Sequence, residues 1–154
     1  MYRKFRLEEK EASQIASARL YISGLGVYEA CLNGEKAGDE YLAPFYNDYR
    51  FWIQYQTYDV TQQLKPGENV LSVMLGDGWY KGRFSYLDEA RVKEIYGDDF
   101  LLTAQLLITF GDGTRQMITT DETWKCISSP VLFSNIYDGE VYDAGREIWD
   151  RDAC

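Results

Sequence analysis

Residues 76–83 combine side chains that hydrogen-bond with side chains that stack. The stretch reads GDGWYKGR, in which three glycines allow sharp turns and Asp77, Trp79, Tyr80 and Arg83 stand between or beside them. Trp and Tyr present flat apolar faces, and Asp and Arg can hydrogen-bond hydroxyl groups, so the stretch suits a sugar-facing or domain-interface loop. The same mixture also fits a structured turn whose aromatic side chains close the end of a β-sandwich. The spacing alone leaves these alternatives open.

Further aromatic side chains lie in or beside predicted loops at strand ends, namely Tyr46, Tyr49, Trp52 and Tyr86. A sandwich gathers such loops at one end, where rings can stack on a sugar or pack against protein. Six residues are therefore the candidates for carbohydrate or domain-interface contacts: Asp77, Trp79, Tyr80, Arg83, Tyr46 and Trp52.

Carboxylates are the other group that could do chemistry, and Asp138, Glu140 and Asp143 cluster near the C-terminus. A glycosidase needs two carboxyl groups facing a sugar across roughly 5–10 Å, and nothing in the sequence places a pair in that way. A calcium site in this cluster is an alternative, but its spacing does not match the twelve-residue loop of an EF-hand. We expect solvated acids on turns, with no catalytic residue, no metal site and no cofactor.

Composition excludes several mechanisms. The chain has no histidine, which rules out a Ser-His-Asp triad, a Cys-His pair and a His-ligated zinc site within it. A net charge of −9 argues against nucleic acid and anionic membrane surfaces as partners. The three cysteines are widely spaced, which predicts free thiols rather than a disulfide framework.

The 154 residues suffice for one domain. The sequence has no apolar run of about 18 residues and no apolar segment behind its basic start, so we expect neither a membrane span nor a signal peptide. Its last residues are polar and show no closing element. We expect a domain over residues 1–145, followed over residues 146–154 by the start of a linker to a further domain.

Short alternating segments dominate the chain. The clearest is residues 100–110, where Phe100, Leu102, Leu106 and Ile108 share one face of a predicted strand. Similar patterns predict strands over residues 2–8, 18–22, 27–32, 35–38, 51–58, 69–75, 114–120 and 124–128, and one or two within residues 134–144.

Turn signals separate these strands. Asn33 and Gly34 form the strongest hairpin signal, and Asp59 is suited to cap a short helical turn over residues 59–64. We therefore predict an all-β fold, an antiparallel β-sandwich or jelly roll, with at most one short helical turn.

Four blocks of this sequence, in order, resemble one family. They are ARLYISGLGVYEACLNGEKAG at residues 18–38, QYQTYDV at 54–60, LGDGWYKGR at 75–83 and SNIYDGEVYDA at 134–144. Each is weak alone, but together with the strands between them they cover nearly the whole chain. The sequence is similar to the N-terminal domain of bacterial α-L-rhamnosidases. The charged loop over residues 84–96 departs from the pattern.

The resemblance implies a β-sandwich accessory domain of the galactose-binding type. In the family this domain precedes a catalytic (α/α)₆ barrel, which removes terminal α-L-rhamnose by an inverting mechanism. The family's catalytic carboxylates belong to that barrel, so the resemblance assigns no catalytic residue here. It makes the barrel the expected partner, with a rhamnose-containing glycan as a candidate ligand. The alternative is an autonomous carbohydrate-binding module for rhamnosides. A bacterial parent could be cytoplasmic or periplasmic, depending on its own N-terminus.

Overall fold

The computed structural model describes residues 1–83 and 96–147. Tyr86, most of the charged loop over residues 84–96 and most of the linker predicted over residues 146–154 lie outside these ranges. Within the described ranges, no helix is long and apolar enough to cross a membrane.

The described residues form two four-stranded antiparallel sheets and a separate hairpin. The first sheet consists, in spatial order, of β1 (Tyr2–Leu7), β6 (Gly67–Gly76), β3 (Val27–Leu32) and β4 (Glu35–Lys36). The second consists of β5 (Gln56–Asp59), β2 (Ile15–Leu25), β7 (Leu101–Phe110) and β8 (Arg115–Thr119). The strands β9 (Val131–Asn135) and β10 (Gly139–Tyr142) form the hairpin.

A single core joins the two sheets. Leu71 and Val73 of β6 and Leu32 of β3 meet Leu20 of β2 and Ile108 of β7, and each of these side chains is almost completely buried. The alternation predicted for residues 100–110 is present, since the even-numbered side chains from 104 to 110 are buried and Leu101, Thr103 and Gln105 are exposed. The predicted antiparallel β-sandwich is confirmed.

The Asn33–Gly34 hairpin is present between β3 and β4. Both residues have positive φ, 56° and 82°, as a two-residue hairpin turn requires. The Asn33 side chain also joins neighbouring segments, because its Nδ2 donates to Gln63 O at 2.7 Å and to Asn69 Oδ1 at 2.8 Å.

In the part of the chain that the structure describes, helical structure is limited to single turns. Where we predicted one, a 3₁₀ turn spans Thr61–Gln63, and the Asp59 carboxylate accepts hydrogen bonds from the backbone and hydroxyl of Thr61. The structure adds three turns that the periodicity did not reveal: α1 (Glu9–Ala12), α2 (Gly78–Lys81) and a 3₁₀ turn at Ala144–Arg146. One turn is too short to produce a helical pattern in the sequence.

Three predicted strands are much shorter in the structure. Of residues 35–38, only Glu35–Lys36 form β4. Of residues 51–58, only the last three join β5, because Asn47 and Ser23 use the backbone of Gln54 that a sheet would otherwise pair. In residues 124–128, Lys125 pairs with Tyr2 as an isolated bridge.

The cysteines also differ from expectation. Cys31 is buried on β3 and disulfide-bonded, whereas Cys126 has an exposed free thiol. The prediction that the cysteines stay free is wrong for Cys31.

Candidate functional site

Residues 76–83 leave the end of β6 and turn immediately into α2. The turn runs close to the start of β3, since a Cβ on Gly26 would lie 2.2 Å from Gly76 O. Only glycine fits this close approach, and Gly26 also has a φ of +119°. Asp77 stands at the start of the turn, and its backbone carbonyl accepts from Lys81 N at 3.1 Å. The glycines therefore hold Trp79 and Tyr80 at the end of the sandwich.

Aromatic rings join this turn to the loop over residues 41–55, which we call the aromatic loop. Trp79 packs edge to face against Tyr46, with ring centroids 6.3 Å apart. Tyr80 packs in the same manner against Tyr49 at 5.2 Å, and Tyr49 also contacts Tyr96 at 5.1 Å. Trp79 and Tyr80 are consequently half-buried, with much of their ring surface engaged within the domain.

Arg83 contacts the β9–β10 hairpin. Its Nη2 lies 2.5 Å from Asp138 Oδ1, and its guanidinium lies 5.7 Å from the ring centre of Tyr137. The Arg83 side chain is only 19% exposed, so the ion pair is partly shielded from water. Arg83 thus joins residues 76–83 to the hairpin, as Trp79 and Tyr80 join them to the aromatic loop.

The aromatic loop is held from inside by Asn47, which is completely buried. Its Nδ2 donates to Phe45 O at 2.9 Å and to Pro44 O at 3.3 Å, while its Oδ1 accepts from Gln54 N at 3.0 Å. One amide group thus binds both arms of the loop. Sequence reasoning missed Asn47, because an Asn before an Asp in a polar-aromatic segment resembles an ordinary loop residue.

Two further hydrogen bonds attach the loop to the sheets. The Ser23 hydroxyl of β2 donates to Gln54 O at 2.6 Å, and the Tyr28 backbone N–H of β3 donates to Ala43 O at 2.8 Å. The loop is therefore tied to one strand of each sheet.

Large apolar side chains of the aromatic loop face solvent. Phe51 is 79% exposed, Tyr41 76%, Tyr55 67%, Trp52 55% and Tyr46 46%. Of the two predicted contact residues on this loop, Trp52 belongs to the exposed surface and Tyr46 also packs against Trp79. The loop exposes much more ring surface than residues 76–83.

The charges near the site largely neutralise one another. Arg50 binds Asp48 through two hydrogen bonds of 3.0 Å, and this bonding lowers the pKa of the Asp48 carboxyl. Asp138 is bound to Arg83, and Asp143 to Arg146 at 3.2 Å. Among residues 1–83 and 96–147, no group of three histidine, cysteine or acidic side chains could hold a metal ion.

Comparison with known proteins gives consistent results. The family model described as the alpha-L-rhamnosidase N-terminal domain matches residues 13–153. An α-L-rhamnosidase of Streptomyces avermitilis is 42% identical over 144 residues, which are 94% of this chain and 13% of that protein.

Solved structures agree. The crystal structure of Streptomyces avermitilis α-L-rhamnosidase complexed with L-rhamnose superposes with a TM-score of 0.87 at 40% identity, covering 95% of this chain and 14% of that one. The enzyme from Aspergillus terreus gives 0.86 at 40% identity, covering 93% and 16%. The chain spans only about a seventh of the length of these relatives. It belongs to the family of α-L-rhamnosidase N-terminal domains.

Proposed function

We propose that this chain is a non-catalytic accessory domain of a longer α-L-rhamnosidase and packs against the catalytic part of that enzyme. The parent would hydrolyse terminal α-L-rhamnose from glycosides. The match to nearly all of this chain but only 13% and 15% of two curated relatives supports a domain with a small share of a larger enzyme.

The bonding of several acidic side chains supports the non-catalytic part of this proposal. An acid that protonates a glycosidic oxygen needs a raised pKa. The described carboxyl groups with a resolved shift, Asp48, Asp59, Asp112 and Asp121, all have a lowered pKa because they accept hydrogen bonds from nearby side chains. Asp138 and Asp143 of the predicted acidic cluster are bound to arginines.

Activity measurements test this proposal directly. Hydrolysis of an aryl α-L-rhamnoside should be at the buffer rate for the purified 154-residue chain and rapid for the intact parent. The triple variant Asp138→Asn, Glu140→Gln, Asp143→Asn should leave the parent's kcat within about twofold. Turnover by the isolated chain that this variant abolishes would contradict the proposal.

An autonomous carbohydrate-binding module is the second candidate, and the exposed rings of the aromatic loop favour it. Exposed aromatic faces are what stacking on a pyranose ring requires. Calorimetric titration of the isolated chain with L-rhamnose should then show saturable binding that Trp52→Ala or Trp79→Ala weakens at least tenfold. No binding at millimolar sugar would exclude this candidate.

A further inference from the structure

We propose that the aromatic loop, residues 41–55, is the surface through which this domain contacts the rest of its parent chain. The inference rests on the proposed accessory function and assigns it a place on the molecule. It depends on the exposed area of the loop, its rigidity and the neutralisation of its charges.

The exposed area suits a protein interface. Eight large apolar side chains of the loop face solvent: Tyr41, Leu42, Phe45, Tyr46, Phe51, Trp52, Ile53 and Tyr55. At roughly 200 Å² for a whole aromatic side chain, the exposed fractions of the six aromatic side chains amount to on the order of 700 Å², to which Leu42 and Ile53 add. The largest apolar patch of a typical monomer covers about 300–600 Å². A standard interface buries about 800 Å² on each partner, so this loop alone is large enough.

The loop is also preorganised. Asn47 binds its two arms to each other, and Ser23 and Tyr28 bind it to β2 and β3. A loop already held in one conformation loses little entropy when a partner covers it, which favours binding. Trp and Tyr are also the side chains that contribute most at protein interfaces.

The distribution of charge favours an apolar protein surface over a sugar. Asp48 and Arg50 are the loop's only charged side chains, and they bind each other through both carboxylate oxygens. The Asn47 amide is buried and used internally. A sugar site needs polar groups that converge on hydroxyls, whereas these groups are already satisfied within the domain.

The partner to which we commit is the remainder of the parent chain. The Streptomyces avermitilis relative has more than four fifths of its length outside the matched segment, since the match covers 13% of it. In a parent of similar size, the corresponding remainder is tethered to this domain and so is present at high effective concentration. A second copy of this chain and a free sugar are outcomes that the experiment distinguishes.

Hydroxyl-radical footprinting of the intact parent and of the isolated 154-residue chain tests the proposal. We expect oxidation of Phe51 and Trp52 to be at least fivefold slower in the parent. Met117, which is 57% exposed on β8, should react at similar rates in both. Unchanged loop oxidation with protection elsewhere in the domain would overturn this inference and leave the accessory function standing. Unchanged oxidation throughout the domain would contradict both.

Two further measurements distinguish the other possible occupants of the loop surface, a free sugar and a second copy of this chain. Loop protection in the isolated chain that requires L-rhamnose would overturn the inference in favour of a sugar site. Loop protection in the isolated chain that grows with protein concentration, with none in the parent, would overturn it in favour of self-association.

Paired variants of the parent give an independent readout. The double variant Phe51→Ser, Trp52→Ser should make this domain unfold in a thermal transition separate from that of the remainder. It should also increase the rate of cleavage between the two parts, in limited proteolysis, at least fivefold. Met117→Ser, a matched change at an exposed apolar residue outside the loop, should change neither. Equal effects of both variants would contradict the assignment of the surface.

Discussion

The aromatic loop and the β9–β10 hairpin both expose large apolar side chains, but they are supported in different ways. The loop has no regular backbone pairing over residues 51–55, and buried polar side chains such as Asn47 bind its backbone. The hairpin pairs its own backbone, and every residue of β10 is exposed. Arg83 binds Asp138 in the hairpin turn. A groove of about 1350 Å³ is lined by residues of both β6 and the hairpin.

The difference shows how a segment that exposes apolar side chains can satisfy the hydrogen-bonding groups of its backbone. An irregular loop must satisfy its N–H and C=O groups with side chains, so buried polar residues become essential. A hairpin satisfies half of its groups by itself and needs fewer ties, but two strands alone are only marginally stable. We therefore expect substitutions beneath the loop to cost much more stability than equivalent substitutions in the hairpin.

Two glycines with similar φ angles should show the largest difference in stability when each is replaced by alanine. Gly38, before the loop, has φ +79°, and Gly139, in the hairpin turn, has φ +83°. A Cβ on Gly38 would lie 2.2 Å from the Tyr58 ring, whereas one on Gly139 would meet nothing within 4 Å. Gly38→Ala should lower the free energy of unfolding by about 3–4 kcal/mol and Gly139→Ala by about 1 kcal/mol.

Urea denaturation of the isolated chain measures both changes. The shared positive φ makes Gly139→Ala the control for backbone strain, so the difference between the variants reports the steric clash. Similar losses for the two variants would mean that the Tyr58 ring moves aside easily, and the view of a rigid loop base would then fail.

Two asparagines extend the contrast to hydrogen bonding. Asn47→Ala leaves the carbonyls of Pro44 and Phe45 and the N–H of Gln54 without this partner, and should cost about 3 kcal/mol. Asn135→Ala removes a hydrogen bond from Tyr137 N in the hairpin turn and should cost less than about 1 kcal/mol. Urea denaturation, with amide exchange at residues 41–55, should show the loop opening only in the first variant.

Most of the sandwich could be predicted from the sequence because its strands have one buried face. The alternation in β7 and the Asn33–Gly34 turn encode structure over a few residues. The short β5 could not be predicted, because the partners of Gln54, which are Ser23 and Asn47, depend on tertiary contacts. The single turns α1 and α2 are below the length at which a helical period becomes visible.

The candidate site was predictable in composition but not in arrangement. The aromatic character of residues 76–83 and of the aromatic loop is visible in the sequence, yet the pairing of Trp79 with Tyr46 and of Arg83 with Asp138 depends on residues 33 and 55 positions apart in the chain. No local pattern reports such contacts. Whether Asp77, Trp79, Tyr80, Arg83, Tyr46 and Trp52 contact sugar or protein stays a prediction, which the footprinting tests directly for Trp52.

Weakening the ion pair that attaches the hairpin should have a smaller effect on the free energy of unfolding. Asp138→Asn removes the charge bound to Arg83 and should cost about 1 kcal/mol, because Asp138 is partly solvated. Amide exchange over residues 131–142 should accelerate, while exchange over residues 41–55 should not change. A double-mutant cycle with Arg83→Met isolates the pair, and a coupling energy near zero would show that Arg83 does not hold the hairpin.

Removing the ion pair inside the aromatic loop should have the smallest effect on stability, because Arg50 is largely exposed and both partners belong to the same loop. Hydrogen bonding to Arg50 lowers the pKa of Asp48 below its ordinary value of 3.8. A lowered pKa in the folded state means that the pair's stabilisation is present above pH 3.8 and is lost as the pH falls through the lowered pKa. Carbon-detected NMR titration should therefore place the Asp48 midpoint below 3.8, and Arg50→Gln should raise it towards that value.

Since Asn47 holds the loop without using this pair, Arg50→Gln should leave amide exchange at residues 41–55 unchanged. Faster exchange there would show that charge, and not the buried amide, keeps the loop in place.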